Sequence, residues 1–179
     1  MFLAALRGIP TAIQEQNAMP GVTNKILARF VKKVFLGYRE AEKYFTGKSR
    51  KIYTGNPIRS EILSNKRSEA VKFFGLDPEK QTILVSGGSR GAQSINKAML
   101  YVEQALSGRH DVQVLHATGE ANYEEYIKEL NKKGSVEDNI VVKPYLHDMP
   151  MALAAADLAV FRAGAIGLAE LTAKACLRF

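Results

Sequence analysis

The 179-residue chain has no tryptophan, a single cysteine and three histidines. One cysteine, Cys176, excludes an internal disulfide framework and fits a reducing compartment. His110, His116 and His147 stand without helical pairing or neighbouring cysteines, so no metal site is expected. No serine or cysteine nucleophile is accompanied by a base in a recognisable pattern. No apolar run approaches the roughly 20 residues needed to cross a bilayer, so a soluble or surface-bound protein is expected. Aromatic residues are not interleaved with the basic ones, and no zinc or RNA-binding motif is present. Nucleic acid is therefore not an expected partner.

What is present is ordinary globular material with an excess of positive charge. Hydrophobic residues make up 46% of the chain and the mean hydropathy is -0.13, enough for one domain, or one and a part. The formal charge of +7 and a pI near 9.5 suggest an anionic partner, a nucleotide or an acidic lipid. Basic residues are densest at Lys25, Arg29, Lys32 and Lys33, and again at Lys48, Arg50 and Lys51.

The stretch Thr82-Ile-Leu-Val-Ser-Gly-Gly-Ser-Arg-Gly-Ala-Gln93 passes from an apolar run through glycines into a helical pattern. It reads as strand, tight turn and helix N-terminus, whose first N–H groups would face whatever lies over the turn. Before it, residues 1–8 read as an apolar helix and 11–16 as a strand. Ile26, Leu27, Phe30, Val31 and Val34 fall at helical spacing, predicting an amphipathic helix from Thr23 onward, with residues 34–36 as the next strand. Residues 41–45 read as a helical turn, 51–53 as a strand, and Thr54-Gly-Asn-Pro57 as a junction dividing the chain into 1–57 and 58–179. Residues 60–74 are expected to be one helix. Apolar runs at 82–86, 112–118, 140–142 and 158–161 then alternate with helical patterns at 92–106, 123–133 and 150–155. That alternation predicts an α/β fold, a Rossmann-like parallel sheet with helices on both faces.

Open parallel sheets bind ligands beyond the carboxyl ends of their strands, which selects the loops at 87–91, 145–149 and 162–167. Gly87, Gly88 and Gly91 allow close backbone approach, and Ser89 adds a hydroxyl suited to phosphate oxygens. Tyr145 offers an aromatic face to a base, with the Leu146 backbone at its edge, or is a tyrosine packed at the core rim. His147 and Asp148 suggest acid–base chemistry, but adjacent side chains point apart. Glu170 lies one turn into the helix opened by the third loop, where a carboxylate can accept both ribose hydroxyls or simply face solvent.

In chain order, Gln14-Glu-Gln-Asn17 with Pro20-Gly21 and Asn24, Gly55-Asn-Pro-Ile-Arg59, Gly87-Gly-Ser-Arg-Gly-Ala92, Tyr145-Leu-His-Asp-Met149, and Arg162-Ala-Gly-Ala165 with Glu170 together resemble the MurG glycosyltransferases. The resemblance covers residues 3–174. It implies a GT-B fold, with 1–57 the end of an acceptor, membrane-facing domain and 58–179 the donor domain. It implies inverting transfer of N-acetylglucosamine from UDP-GlcNAc to lipid I, giving lipid II, at the inner face of the bacterial plasma membrane, with no cofactor beyond the donor. Arg59, Gly87, Gly88, Ser89 and Gly91 would meet the diphosphate. Tyr145 and Leu146 would hold uracil, Glu170 the ribose, and Ala165 with Ile166 the diphosphate and sugar. Glu15 and Asn17 match residues of acceptor handling or catalysis. The basic helix expected from Asn24 to Lys33 would face anionic lipid. Another GT-B enzyme, such as a glycolipid glycosyltransferase or a UDP-GlcNAc epimerase, and a non-catalytic nucleotide-binding module are the alternatives. The stretch Glu15-Gln-Asn17 argues against the other GT-B enzymes.

The chain departs from the family pattern in three places. It starts past the family's first strand and histidine-bearing glycine loop, and glutamine stands at Gln14 where a histidine is frequent. After Lys174 the usual Gly-Leu-Pro-Ala-Val is replaced by Ala-Cys-Leu-Arg-Phe179, the residues expected if a coding sequence for that peptide slips by one base, so a frame slip is the expectation there. A fragment incomplete at both ends, poorly stable and without transferase activity, is the expectation.

Overall fold

The computed structural model describes residues 1–134 and 137–174, which excludes the Ala175–Phe179 tail. The chain divides into two compact units, Met1–Pro57 and Ile58–Phe179.

In the first unit, helix α1 (Phe2–Leu6) precedes strand β1 (Ala12–Glu15), helix α2 (Val22–Leu27), strand β2 (Lys33–Leu36), a 3-10 turn at Arg39–Tyr44 and strand β3 (Arg50–Tyr53). The strands form a parallel sheet in the order β1-β2-β3, with Ile13 opposite Val34 and Val34 opposite Lys51. Its core is Ile13, Ala28, Val31, Val34, Leu36, Ala41 and Phe45. The helix expected to continue from Thr23 into Val34 stops at Leu27. Lys32 already belongs to the ladder, donating to Thr11 O at 3.0 Å while accepting from Arg50 N at 2.9 Å. Ladder pairing of this β-branched and aromatic segment wins over the helical spacing, and it leaves Ile26 and Phe30 exposed.

The second unit holds helices α3 (Glu61–Ser64) and α4 (Arg67–Phe74), strand β4 (Gln81–Ser86), helix α5 (Gln93–Leu106), strand β5 (Val112–Ala117), a 3-10 turn at Glu120–Asn122 and helix α6 (Tyr123–Lys132). Strand β6 (Ile140–Lys143), helix α7 (Met149–Ala155), strand β7 (Leu158–Phe161) and helix α8 (Ala165–Lys174) complete it. The helix expected over 60–74 is two helices, because Asn65 and Lys66 are extended (ψ 134° and 146°). Each side of that break is tied down. Lys174 Nζ donates to Asn65 O at 2.6 Å, and Arg67 donates to Lys80 O and Asp157 at 2.9 Å.

The four strands are parallel in the order β6-β5-β4-β7. Successive side chains point to opposite faces, so Leu84, Leu115 and Ala117 meet α3, α4 and α7, while Val85 and Val114 meet α5 and α6. Ile62, Leu84, Leu115, Leu130 and Leu153 are almost fully buried, each stabilising the fold by about 1.5–3 kcal/mol relative to exposure. All six residues of β5 are buried, Gln113 and His116 included, as expected for a central strand covered on both faces. The expected sheet with helices on both faces is what forms.

Candidate functional site

Strand register decides which loops meet in the second unit. Ser86 is opposite Ala117 on one side and Phe161 on the other, and Ala117 is opposite Lys143. The carboxyl ends of all four strands therefore lie level. The chain lays down β4, β5 and β6 in one direction and then places β7 on the other side of β4. That makes the β4/β7 boundary a topological switch point, where two loops diverge and leave a crevice. A cleft of about 460 Å³ opens there.

Its lining brings together Arg59, Gly87, Gly88, Ser89, Tyr145, Leu146, Ile166 and Glu170, residues scattered over more than a hundred positions in sequence. Gly91 and Ala165 fall outside that lining. Gly91 lies against the Thr118 backbone, so it shapes the turn from behind. The lining takes in the first half of the 87–91 loop but not the first turn of α5. It does include Gly164, Ile166 and Gly167 at the start of α8. Thus the helix N-terminus facing the cleft is that of α8, which carries no acidic residue in its first turn to offset the dipole. Sequence pattern alone favours α5, because its glycine loop is the more conspicuous.

Glu170 is 6% exposed, and its Oε1 accepts from Arg59 Nε at 3.1 Å and lies 3.0 Å from Arg59 Nη2. The fork of one guanidinium thus converges on one carboxylate oxygen. Half-exposed Arg59, expected beside the diphosphate, here holds the carboxylate expected to take the ribose. Arg162 belongs to the third glycine-bearing motif, with no role expected for its side chain. Its Nη2 would lie 3.8 Å from a Cβ added at Gly88, and among the described residues it has no ion-pair partner. Gly88 sits at φ +87°, a conformation open to glycine, and its N–H donates to Ser86 Oγ at 3.3 Å.

Tyr145 is 37% exposed, and its ring meets the His147 ring edge to face at 5.0 Å. The Leu146 side chain is buried in the core, which leaves its backbone for any ligand. Asp148 accepts from Met151 N at 3.0 Å as the N-cap of α7, a structural duty that withdraws it from acid–base chemistry with His147. Among the described residues no cluster of three metal-ligating side chains occurs, and no helix is long and apolar enough to cross a membrane.

In the first unit, Glu15 ends β1 and is 2% exposed. Oε1 accepts from Asn17 N at 2.9 Å and Asn17 Nδ2 at 3.1 Å. Oε2 accepts from Asn24 Nδ2 at 2.8 Å and Gly21 N at 3.2 Å. Burial pushes its pKa up, but the hydrogen bonds from Asn17, Asn24 and Gly21 outweigh it and hold the carboxyl below its ordinary 4.5. A carboxylate with four donors on its two oxygens, and less basic than usual, organises the 16–24 loop and is a poor proton acceptor. The Glu15→Gln variant, which presents an amide nitrogen to those donors, is expected to lose about 1–3 kcal/mol at pH 7 in urea unfolding. A depressed pKa adds stability above the unfolded value that is lost as pH falls through the folded one. The difference between the two proteins should therefore shrink below about pH 4, and equal midpoints at pH 7 would remove this role.

The parallel sheets flanked by helices, with a cleft at the topological switch point, are those of the GT-B class of glycosyltransferases. A family model, the glycosyltransferase family 28 C-terminal domain, matches residues 82–177. Two UDP-N-acetylglucosamine–N-acetylmuramyl-(pentapeptide) pyrophosphoryl-undecaprenol N-acetylglucosamine transferases are similar over most of the chain. The one from Desulforamulus reducens is 49% identical over 96% of it, and the one from Bacillus subtilis 46% over 97%. MurG of Acinetobacter baumannii superposes with a TM-score of 0.62 at 27% identity, covering 96% of this chain and 45% of that one. The chain belongs to glycosyltransferase family 28, in its MurG branch. It spans about half the length of those relatives, 47% in both sequences.

Proposed function

We propose that residues 58–179 form the donor half of a UDP-GlcNAc transferase and residues 1–57 the end of its acceptor domain, the whole transferring N-acetylglucosamine to lipid I to give lipid II. The observation that carries this reading is the switch-point cleft, where a glycine turn, a helix N-terminus, two guanidinium groups and one buried carboxylate converge. Ser89 and the glycine backbone suit the diphosphate, Glu170 the ribose diol, and Tyr145 with the Leu146 backbone the uracil. Ile166 and the first turn of α8 lie where diphosphate and sugar would sit, with Ala165 and Gly91 shaping the loops behind them.

The chemistry is direct displacement at the anomeric carbon with inversion. Negative charge grows on the departing UDP, and the α8 N-terminus and Arg162, with Arg59 in its pairing to Glu170, supply the positive potential that meets it. On the acceptor side, Glu15 presents Asn17 to the acceptor rather than taking its proton.

Charge and surface support a place at the cytoplasmic face of the membrane. The first unit holds ten basic and three acidic residues, the second fifteen of each, so the whole excess of +7 resides before Pro57. The same unit exposes Phe2, Leu3, Leu6, Ile26 and Phe30, with the Phe2 and Phe30 rings 4.8 Å apart. Apolar residues among basic ones suit an anionic lipid surface. Calorimetry should find UDP and UDP-GlcNAc bound and NAD not. Sedimentation should find the chain on anionic vesicles at low salt. NAD binding in place of UDP would overturn the donor reading, and indifference to lipid charge the surface one.

A further inference from the structure

On the α5/α6 face of the sheet, four polar side chains lie within the apolar layer: Glu103 and His116 at 0% exposure, Tyr126 at 4% and Asn96 at 5%. They form a continuous chain. The Tyr126 hydroxyl donates to Glu103 Oε2 at 2.8 Å, Glu103 Oε1 lies 2.7 Å from His116 Nδ1, and His116 Nε2 lies 3.3 Å from Asn96 Oδ1. Asn96 Nδ2 donates to the Thr118 carbonyl at 2.9 Å. That last bond makes Oδ1 the acceptor toward histidine, so His116 carries a proton on Nε2 whichever partner holds the one shared with Glu103. Burial first, then the charge and hydrogen bond of Glu103, push the Tyr126 phenol up, which keeps it a donor.

Such a chain is a costly way to fill a core. Apolar side chains of the same volume would stabilise the fold as well or better. Its far end is what distinguishes it. The Thr118 carbonyl also accepts from Asn122 Nδ2 at 3.2 Å, and the same nitrogen lies 3.1 Å from the Arg90 carbonyl. A Cβ on Gly91 would run into Thr118 O. The buried chain therefore ends at the Thr118 carbonyl, which lies against Gly91 and shares Asn122 with the Arg90 carbonyl of the 87–91 loop, while neither Glu103 nor His116 lines the cleft.

We propose that Asn96, His116, Glu103 and Tyr126 are positioning residues that clamp the 87–91 loop through Thr118 and Asn122 and so hold it in its diphosphate-binding shape. This rests on the reading of that loop as a diphosphate site. The clamp acts from the side of the sheet carrying α5 and α6 and touches no ligand.

The test compares Asn96→Ala with Asn139→Ala in the full 179-residue chain. Asn139 is also a buried amide on the sheet, but it serves the amino end of β5, donating to Leu106 O at 2.8 Å and Val112 O at 3.0 Å. Loss of one clamp bond is expected to raise amide exchange in residues 87–91 about tenfold and to weaken UDP binding by a similar factor. Asn139→Ala, destabilised alike, should change neither. Should Asn96→Ala not fold, Tyr126→Phe removes one hydroxyl at the other end of the chain, and a smaller change in the same loop is expected. Equal exchange and equal UDP affinity in the two asparagine variants would overturn the clamp. An unsubstituted chain that does not bind UDP would overturn the donor reading instead, and amide exchange in residues 87–91 would then decide the clamp by itself.

Discussion

Replacement of Glu170 by glutamine is expected to weaken UDP and uridine binding by about 10- to 100-fold, the range set by losing hydrogen bonds to a charged acceptor. Inorganic pyrophosphate should bind as well or better. The reason lies in the pairing of Glu170 with Arg59 at 3.0 Å. Glutamine is a weaker partner for a ribose diol, so every ligand containing the sugar suffers. It is also a weaker partner for the guanidinium, so Arg59 is released toward an anion in the same cleft. Stability should change little, because Arg59 is 48% exposed and a half-exposed ion pair contributes weakly. Calorimetric titration of the three ligands against both proteins gives the answer. Parallel losses for uridine and pyrophosphate would mean that the substitution damaged the cleft as a whole, and unchanged uridine affinity would dismiss Glu170 as the ribose partner.

Much of the second unit's fold was legible because its two central strands, β4 and β5, are largely buried on both sides. Runs such as Ile83-Leu-Val85 and Val112-Gln-Val-Leu115 allow little but strands, and the helices between them are long enough to cross from one strand to the next. Legibility failed where local pattern met a tertiary tie. Residues 28–34 have helical spacing, yet Lys32 is captured by the ladder between β1 and β3. Residues 60–74 look continuous, yet Lys174, far along the chain, holds the carbonyl of Asn65. Neither partner can be inferred from the segment itself.

The candidate site divides in the same way. Loops at strand ends follow from topology, and residues 87–89, 145–146, 166, 167 and 170 line one cleft. Pair geometry does not follow from topology. Nothing in the spacing of Arg59 and Glu170 says that they meet, and nothing around Arg162 marks it as a cleft-lining cation without an ion-pair partner among the described residues. Glu15 shows a further limit. The family resemblance links Glu15 and Asn17 to acceptor handling or catalysis, but it gives no sign of the four donors that converge on the Glu15 oxygens. His116 and Glu103, thirteen residues apart on β5 and α5, carried no signal that separates a buried pair from two surface residues.

The largest expected loss of stability comes from Gly91→Ala, at about 2–5 kcal/mol. Two costs combine. Gly91 sits at φ +71°, where a side chain is disfavoured by about 1–2 kcal/mol. An added Cβ would also stand 2.8 Å from the Thr118 carbonyl carbon and 2.9 Å from Asn122 Nδ2, closer still to Thr118 O. Backbone cannot swing aside as a side chain can. Thr118 is pinned by its N–H to Lys143 O at 3.1 Å and by Asn96 and Asn122 on its carbonyl. The neighbouring Gly119 is equally confined, since a Cβ there would lie 2.6 Å from Arg90 O. The two turns thus interlock, backbone against backbone, and no shift of one relieves the other. Gly75→Ala separates the costs, because Gly75 has φ +67° as the left-handed cap of α4 but nothing within 4 Å of its added Cβ. That control should lose only the conformational part, about 1–2 kcal/mol. Urea midpoints for both variants decide the matter: if Gly91→Ala unfolds no earlier than Gly75→Ala, the turns behind the cleft are looser than their contacts imply, and the rigidity argued for the diphosphate loop goes with them.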